Sequence, residues 1–308
     1  MKEVLVVYYS QTGQLFDIVK NITSSLEAEN VNLTYYKITP ENEYEFPWKK
    51  EQFFDVFPES FLQIPCDLKE PSEEILQKKY DLVILGYTVW YLSPSVPVNS
   101  FLKSASAKII LENTPVVTVV AARNMWIMAQ EKVKQLLLQN KANYVGNIAL
   151  VDRHINHISV ITIVHWMLGG KKDKKFGLFP KPGVSDKDIA EASKFGVPIK
   201  TALFTNKYTD LQPSLLQLDA VRVSPFLVTA DTRANILFSK WANLIIKKGD
   251  AGDPKRKKWL VFFNYYLLIA IWVFMPIVFI VFLVTYPLLT RRIKRQKEYF
   301  SSVFTKKI

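Results

Sequence analysis

Residues 4–15 read VLVVYYSQTGQL, an apolar run followed by a polar, glycine-containing loop and the start of a helical pattern. A continuous apolar run such as residues 4–9 is typical of a parallel strand that is buried on both faces of a sheet. Apolar residues then recur at helical spacing, which predicts an amphipathic helix through about Glu29. These residues are Leu15, Ile18, Val19, Ile22 and Leu26. The chain is therefore expected to open as strand, short polar loop and helix.

The same alternation continues through the first 206 residues. Further strands are predicted at residues 31–38, 80–87, 114–121 and 145–151, and helices at 125–140 and 186–206, the last capped by Ser185. Alternating strands and helices predict an α/β fold with a doubly wound, five-stranded parallel sheet. In this fold class, ligands bind where the strands end and the strand order reverses. The loops after residues 9, 86 and 121 are therefore the expected ligand-binding loops.

Two segments depart from this alternation. Residues 40–72, rich in Phe and Pro, are too long for an ordinary connection and predict an insertion that covers a site. Residues 207–254 are predicted to be an amphipathic connecting region that contains a helix at 230–248. This helix is expected either to lie on a membrane surface or to pack on the main domain.

Positive charge is concentrated at the C-terminal end of the chain. Residues 255–308 carry eleven Lys or Arg and one acidic residue, which accounts for +10 of the formal net charge of +12. This excess flanks an apolar segment, where it favours membrane lipid as a partner. No compact nucleic-acid-binding motif accompanies it, so no nucleic acid is expected as a partner.

Residues 259–289 contain no charged residue over 31 positions, whereas about 20 helical residues suffice to cross a bilayer. We therefore predict that residues 255–308 form a basic-flanked membrane anchor, with the preceding domain on the cytoplasmic face of the inner membrane. One alternative is a single tilted span. The other is a shallow hairpin that turns near Pro276 with both basic ends in the cytoplasm. The paired basic flanks favour the hairpin slightly.

The first loop carries a resemblance to a known family. Residues 6–14, VVYYSQTGQ, resemble the first strand and phosphate loop of flavodoxins, in which this loop holds the phosphate of FMN. The resemblance implies that residues 1–206 form a flavodoxin-like domain with FMN as cofactor. Leu15 stands where the family has a second Thr, which removes one hydroxyl. The alternative is an ordinary polar loop. The predicted phosphate-binding residues are Ser10, Gln11, Thr12, Gly13, Gln14 and Leu15.

Two further loops, residues 86–97 and 121–126, resemble the flavin-contacting loops of the same family. Trp90 or Tyr91 is expected to stack on the flavin, because aromatic rings pack well on a flat π-system. Arg123 is expected to stabilise negative charge on a reduced flavin or an enolate. The alternatives are aromatic core residues in the first loop, and a helix cap with a surface ion pair in the second. The predicted ring-binding residues are Thr88, Val89, Trp90, Tyr91, Ala122, Arg123 and Asn124.

Asp152, Arg153 and His154 follow the fifth predicted strand directly. His154 is the predicted general acid–base because a histidine titrates near neutral pH, and Asp152 is expected to orient it. Arg123 completes the predicted catalytic set. The alternative is a surface Asp–Arg pair with an idle histidine. Three His and one Cys show no metal-ligand spacing, so no metal site is predicted.

Four stretches support a narrower resemblance, to flavodoxin-like proteins of bacterial dialkylresorcinol and flexirubin-type pigment pathways. They are residues 8–14, 123–126, 146–154 and 183–186. This resemblance implies an FMN-dependent oxidoreductase that acts on a lipophilic substrate, with aromatisation of a dialkyl-cyclohexanedione to a dialkylresorcinol as one reaction. The alternatives are a membrane-tethered NAD(P)H-quinone reductase, and a flavin-free scaffold or electron-transfer module that recruits a biosynthetic partner enzyme.

Overall fold

The computed structural model describes residues 1–27 and 30–305. Its central sheet is built from β1 Lys2–Tyr8, β2 Val31–Lys37, β3 Leu82–Trp90, β4 Ser93–Pro94, β5 Pro115–Ala122 and β6 Asn143–Val151. Five of these strands are parallel and lie in the order β2-β1-β3-β5-β6, while the two-residue β4 pairs antiparallel with the end of β3. Counting the parallel strands alone, this is the order 2-1-3-4-5 of flavodoxin-type sheets. The predicted fold class is confirmed.

The apolar run that opens the chain forms the middle of this sheet. Val6 lies opposite Tyr35 of β2 on one side and Ile84 of β3 on the other. The four residues at the centre of β1, 4–7, are fully buried, as expected for a strand covered on both faces.

Helices cover both faces of the sheet. They are α1 Gln14–Ser24, α2 Lys50–Asp55, α3 Phe57–Phe61, α4 Glu73–Gln77, α5 Val96–Leu102, α6 Ala105–Leu111, α7 Ile127–Gln139, α8 Asn156–Gly169, α9 Asp186–Ala190, α10 Gly196–Thr205, α11 Leu211–Gln217 and α12 Pro225–Ile246. In α1 the predicted apolar stripe is buried against the sheet. The helix ends at Ser24, and residue 29, where the prediction ended it, lies outside the described residues.

The prediction of a single helix at residues 186–206 is wrong, because the segment is interrupted. The structure divides it into α9, a 3-10 turn at Glu191–Phe195, and α10. Gly196 at the junction lies so close to α1 that a Cβ atom there would come within 2.2 Å of the carbonyl oxygen of Ile22. The predicted cap is confirmed, since the Ser185 hydroxyl accepts a hydrogen bond from the Asp188 amide at 3.0 Å.

Residues 207–254 pack on the main domain. The amide of Ala149 in β6 donates to the carbonyl of Ala220 at 2.7 Å, so this region extends the edge of the sheet. The predicted helix at 230–248 is confirmed as α12, which begins five residues earlier at Pro225. Val228 of α12 belongs to the main hydrophobic core.

The chain ends in a continuous helix, Pro254–Phe300, of 47 residues. It consists of α13 Pro254–Ile269, a π-helical turn Ala270–Phe274, α14 Met275–Thr285, a 3-10 turn Tyr286–Leu289 and α15 Thr290–Phe300. By length and composition this helix is able to cross a membrane.

Candidate functional site

The loop between β1 and α1 presents an open helix N-terminus. Gly13 precedes α1 with a φ of +84°, a conformation that favours glycine, and a Cβ atom there would meet no heavy atom within 4 Å. Within residues 1–27 and 30–305, the amides of Thr12, Gly13, Gln14 and Leu15 donate no hydrogen bond. Free amides at a helix N-terminus, together with the helix dipole, attract an anion such as a phosphate group.

The side chain of Gln11 contacts the insertion instead of facing a ligand. Its Nε2 atom donates to the carbonyl oxygens of Tyr44 and Glu45 at 3.2 and 3.1 Å, and its Oε1 atom accepts from the indole of Trp48 at 3.0 Å. The Trp48 amide in turn donates to the carbonyl of Met167 in α8 at 2.8 Å. The insertion therefore contacts one side of the loop, where Gln11 holds it, and the helix N-terminus at Gly13 stays open.

Three other predicted phosphate-binding side chains also have internal partners. The Gln14 amide group donates to the Val184 carbonyl at 3.2 Å and accepts from the Val184 amide at 3.1 Å. Leu15 is buried in the core, and the Ser10 hydroxyl accepts from the Phe16 amide at 3.3 Å. In this loop the main-chain amides and the Thr12 hydroxyl are thus the groups best placed to bind an anion.

Trp90, at the end of β3, lies in an aromatic cluster with Tyr9, Tyr44 and Trp48. The centroid of its ring is 5.9, 5.1 and 5.2 Å from theirs, and each pair meets edge to face. Burial raises the pKa of the Tyr9 and Tyr44 hydroxyls well above the ordinary tyrosine value. This cluster forms an apolar, aromatic wall beside the phosphate loop.

Tyr91 points away from that cluster. Its hydroxyl donates to the Phe53 carbonyl at 2.5 Å, and its ring packs at 5.1 Å from Phe57 and 6.4 Å from Phe263 of α13. Tyr91 is therefore part of a second apolar cluster that joins the insertion to the C-terminal helix. This placement favours Trp90 over Tyr91 as the neighbour of a flat ring.

Several polar atoms near the ends of β3 and β5 are buried without a partner. In the part of the chain that the structure describes, the Thr88 and Ser95 hydroxyls and Oδ1 of Asn124 have no hydrogen-bond partner. Val89 and Ala122 contribute backbone to the same edge, where Val89 pairs with Pro94 of β4. An unsatisfied buried polar group costs about 1–3 kcal/mol. A ligand with several hydrogen-bonding atoms would satisfy these groups.

Arg123 and Asn124 are held by a residue that the sequence analysis did not select. Nη1 of Arg123 and Nδ2 of Asn124 donate to the same Oδ1 atom of Asn156, at 2.7 and 2.9 Å. Burial lowers the pKa of Arg123 to about 10, an effect that Asp152 opposes. Asn156 is the first residue of α8, so the loops after β5 and β6 are joined. Among the described residues, the partner of Arg123 is therefore Asn156, and the alternative interpretation of a surface ion pair is wrong.

Asp152 and His154 form a hydrogen-bonded pair. Oδ1 of the buried Asp152 accepts from the His154 amide at 2.9 Å and lies 2.6 Å from its Nδ1 atom, while Oδ2 accepts from the Ser159 hydroxyl at 2.7 Å. This arrangement favours the tautomer with the proton on Nδ1 and leaves Nε2 free to accept a proton. Arg153 pairs with Asp188 at 2.8 Å instead of with Asp152.

The structure places these predicted residues at one edge of the sheet but in two groups. Asp152, His154 and Arg123 lie at the ends of β5 and β6, whereas Trp90 and its cluster lie at the ends of β1 and β3. His154 opens into a cleft of about 370 Å³, whose wall includes Gly183. Gly183 adjoins Gln14, so the cleft reaches the segment that lies beside the phosphate loop.

Asp231 is a further residue that sequence reasoning missed. It comes from α12, is fully buried, and its Oδ2 atom accepts from the amides of Ile127 and Met128 at 2.9 and 3.2 Å. It thus caps α7 directly after the loop that carries Arg123. Burial raises the pKa of Asp231 to about 7. Lone acidic residues on an amphipathic helix are ordinary, so the sequence carries no signal for this role.

The strand order and the arrangement of the three loops define a flavodoxin-like α/β protein. No protein-family model matches the chain, and no curated protein is similar to it in sequence. Among solved structures it is similar to a flavoprotein of Lactobacillus acidophilus in complex with FMN, with 16% identity, a TM-score of 0.39, and coverage of 48% of this chain and 93% of that one. It is also similar to flavodoxin 1 of Bacillus cereus, with 12% identity, a TM-score of 0.36, and coverage of 67% and 98%. The strand order β2-β1-β3-β5-β6 establishes the fold.

Proposed function

We propose that this protein is a membrane-associated, FMN-dependent oxidoreductase that acts on a lipophilic substrate. The open phosphate loop at Gly13 is the main support for this proposal. It lies beside the aromatic wall formed by Trp90 and its neighbours. The amides of residues 12–15 suit the phosphate of FMN. The unpartnered polar atoms of Thr88, Ser95 and Asn124 suit the heteroatoms of its ring. FMN supplies a two-electron acceptor or donor at such a site.

His154 and Arg123 have complementary roles in this proposal. Nε2 of His154 takes a proton from the substrate, and the Asp152 carboxylate stabilises the imidazolium that results. Arg123 is held by Asn156 and stabilises negative charge on a substrate oxygen. In the oxidation of a cyclic dione to a resorcinol, the substrate loses one proton and one hydride equivalent. The base and the cation are the groups that this chain contributes to such a reaction.

The second apolar cluster supports a lipophilic substrate. Leu92 lies in the turn between β3 and β4, and Met125 lies in the loop after β5. Both pack in the same cluster as Phe57 of the insertion and Phe263 of the C-terminal helix. Apolar contacts thus connect the ligand-binding edge with the helix that is apolar enough for a membrane. On this basis we propose a dialkyl-cyclohexanedione as the substrate, with the protein on the cytoplasmic face of the inner membrane and a biosynthetic enzyme as a partner.

The proposal is tested by the visible spectrum of the detergent-purified protein and by identification of the small molecule that denaturation releases. We expect a flavin spectrum and released FMN. The Gly13→Ala variant should bind less FMN, because a Cβ atom strains a φ of +84° and enters the space above the loop. Gly252→Ala is the matched control, since Gly252 has a φ of +83° and equally open surroundings far along the chain from this loop.

A colourless protein that FMN does not reconstitute would refute the proposal and leave the flavin-free scaffold in its place. Given bound FMN, anaerobic trials with cyclic diones and with quinones distinguish the remaining alternatives. Reduction of the flavin by a cyclic dione alone supports the aromatase. A requirement for NAD(P)H, with turnover of quinones, supports the quinone reductase.

A further inference from the structure

The long C-terminal helix packs along the body of the protein through one stripe of residues. Arg256, Leu260, Phe263, Phe282 and Ile293 are its buried positions. Because each α-helical residue turns by about 100°, Phe282 would be rotated by about 100° from Phe263 in an uninterrupted α-helix. The π-helical turn Ala270–Phe274 accommodates an extra residue and returns the later positions to the face set by the earlier ones. The irregular turn thus keeps one face of the helix against the body.

The N-terminal end of this helix is anchored by a buried arginine. Nε of Arg256 lies 2.7 Å from Oδ1 of Asp55, and its Nη1 lies 2.6 Å from Oε1 of Glu59. Both acids belong to the insertion helices α2 and α3. The guanidinium group also donates to the Asp55 carbonyl. A buried charge with this set of partners is costly to separate from them.

The C-terminal end is attached to the same domain. The Tyr299 hydroxyl donates to Oε2 of Glu131 in α7 at 2.6 Å, and Nε2 of Gln212 in α11 donates to the Ser301 carbonyl at 2.8 Å. Both α7 and α11 pack against strand β6. The two ends of the apolar segment are therefore held by one and the same domain.

The middle of the helix is also in contact with that domain. Nε2 of His157 in α8 lies 3.0 Å from the carbonyl oxygen of Ile271, within the π-helical turn, and its ring lies 5.0 Å from that of Trp272. Phe226 of α12 packs on Phe279 and Phe282 at 4.9 and 5.6 Å. The inward face of the helix thus has partners at both ends and in between.

The outward face is apolar and exposed. Val261, Tyr265, Val273, Ile280, Val284 and Leu288 are between 51% and 86% exposed. The lysines and arginines that flank this face, at 255, 257, 258, 291, 292, 294 and 295, are exposed as well. A soluble monomer rarely exposes so large an apolar surface. An apolar face with basic residues at its rim matches the headgroups and upper acyl chains of an anionic leaflet.

We propose that helix Pro254–Phe300 does not cross the bilayer but lies in the plane of one anionic leaflet, with both of its ends on the cytoplasmic side. A spanning helix has its ends on opposite faces of the membrane. To reach that arrangement, the chain would have to break the contacts of Arg256 or those of Tyr299 and Ser301. The inference rests on the membrane association proposed above and is independent of the flavin.

Cysteine labelling of the full-length chain tests the topology. In a Cys66→Ser background, Ala251→Cys and Lys297→Cys place one exposed thiol on either side of the apolar segment. In right-side-out vesicles from expressing bacteria, we expect a membrane-impermeant maleimide to label neither thiol, and in inside-out vesicles to label both. Labelling of one thiol in each kind of vesicle shows a spanning helix and overturns the proposal. A protein with a known external cysteine serves as the positive control.

Depth measurement on the purified protein provides a second, independent test. A fluorophore on Val284→Cys, which is 75% exposed, is reconstituted with lipids brominated at different depths. We expect the strongest quenching from bromines near the headgroups, whereas strongest quenching from the bilayer centre contradicts an in-plane helix. If the protein floats with anionic vesicles and only weakly with zwitterionic ones, the result supports binding of the helix to an anionic lipid surface. No flotation with either assigns the apolar face to a protein partner and overturns the proposal. The FMN content of the same sample reports separately on the proposed activity.

Discussion

Replacing Asp231 by asparagine is expected to make the protein more stable than wild type at pH 8 and to leave its stability nearly unchanged at pH 4. Asp231 is fully buried at the N-terminus of α7, and burial raises its pKa from 3.8 to about 7. Between these two values the folded protein holds a proton that the unfolded chain has lost. Stability therefore falls as the pH rises through this window.

The magnitude follows from the size of the shift. A difference of about three pKa units corresponds to about 4 kcal/mol of unfolding free energy, lost by wild type between about pH 4 and pH 7. Asparagine keeps an oxygen that accepts from the amides of Ile127 and Met128, but it does not ionise. The Asp231→Asn variant should therefore keep the cap of α7 and should not lose stability as the pH rises.

Thermal unfolding of the detergent-purified proteins between pH 4 and pH 8 measures the effect. At about 2 °C or more per kcal/mol, the melting temperature of Asp231→Asn should exceed that of wild type by on the order of 8 °C at pH 8. Asp210→Asn, at an exposed aspartate, is the matched control and should follow wild type at every pH. If the melting temperatures of wild type and Asp231→Asn change with pH in the same way, the reasoning is refuted. Such a result would show that ionisation of Asp231 does not destabilise the folded protein.

Three further substitutions test the site and the helix. Asp152→Asn removes the carboxylate that orients His154, so substrate oxidation, measured by stopped-flow reduction of the flavin, should slow by on the order of 100-fold. The FMN content, measured by absorbance, should stay at the wild-type level. Thr88→Val removes a buried hydroxyl without a partner, so the cofactor-free protein should lose little stability while its affinity for FMN falls about tenfold, measured by fluorescence titration. Arg256→Met leaves Asp55 and Glu59 without their partner and should destabilise the protein by about 3–5 kcal/mol in thermal unfolding; an unchanged melting temperature would show that these ion pairs do not hold the helix.

The sheet could be predicted because its determinants are local. A run such as residues 4–9 must be buried on both faces, and only a central parallel strand accommodates it. The alternation of such strands with helices predicts that the sheet is parallel and doubly wound. The break at Gly196 could not be predicted, because it depends on how closely α1 approaches from elsewhere in the chain.

The sequence could predict the local geometry of the candidate site only for residues whose contacts lie within their own loop. Gly13 and the amides around it lie where the motif places them, and Asp152 orients a histidine two residues away. The side chain of Gln14, in contrast, has a partner 170 positions along the chain at Val184. Asp231 caps a helix that begins about a hundred residues earlier. Pairings of this kind are created by the fold and leave no pattern in the sequence.

Trp48 of the insertion joins two parts of the fold, because its indole donates a hydrogen bond to Gln11 of the first loop and its backbone amide donates to Met167 of α8. These two hydrogen bonds hold the insertion beside the first loop, so any movement of the insertion away from the sheet would have to break both of them. If FMN binds at this edge, the insertion would lie on one side of it and would slow its exchange with the solvent. Electrons would then enter and leave by way of the substrate, on the side where the second apolar cluster meets helix Pro254–Phe300.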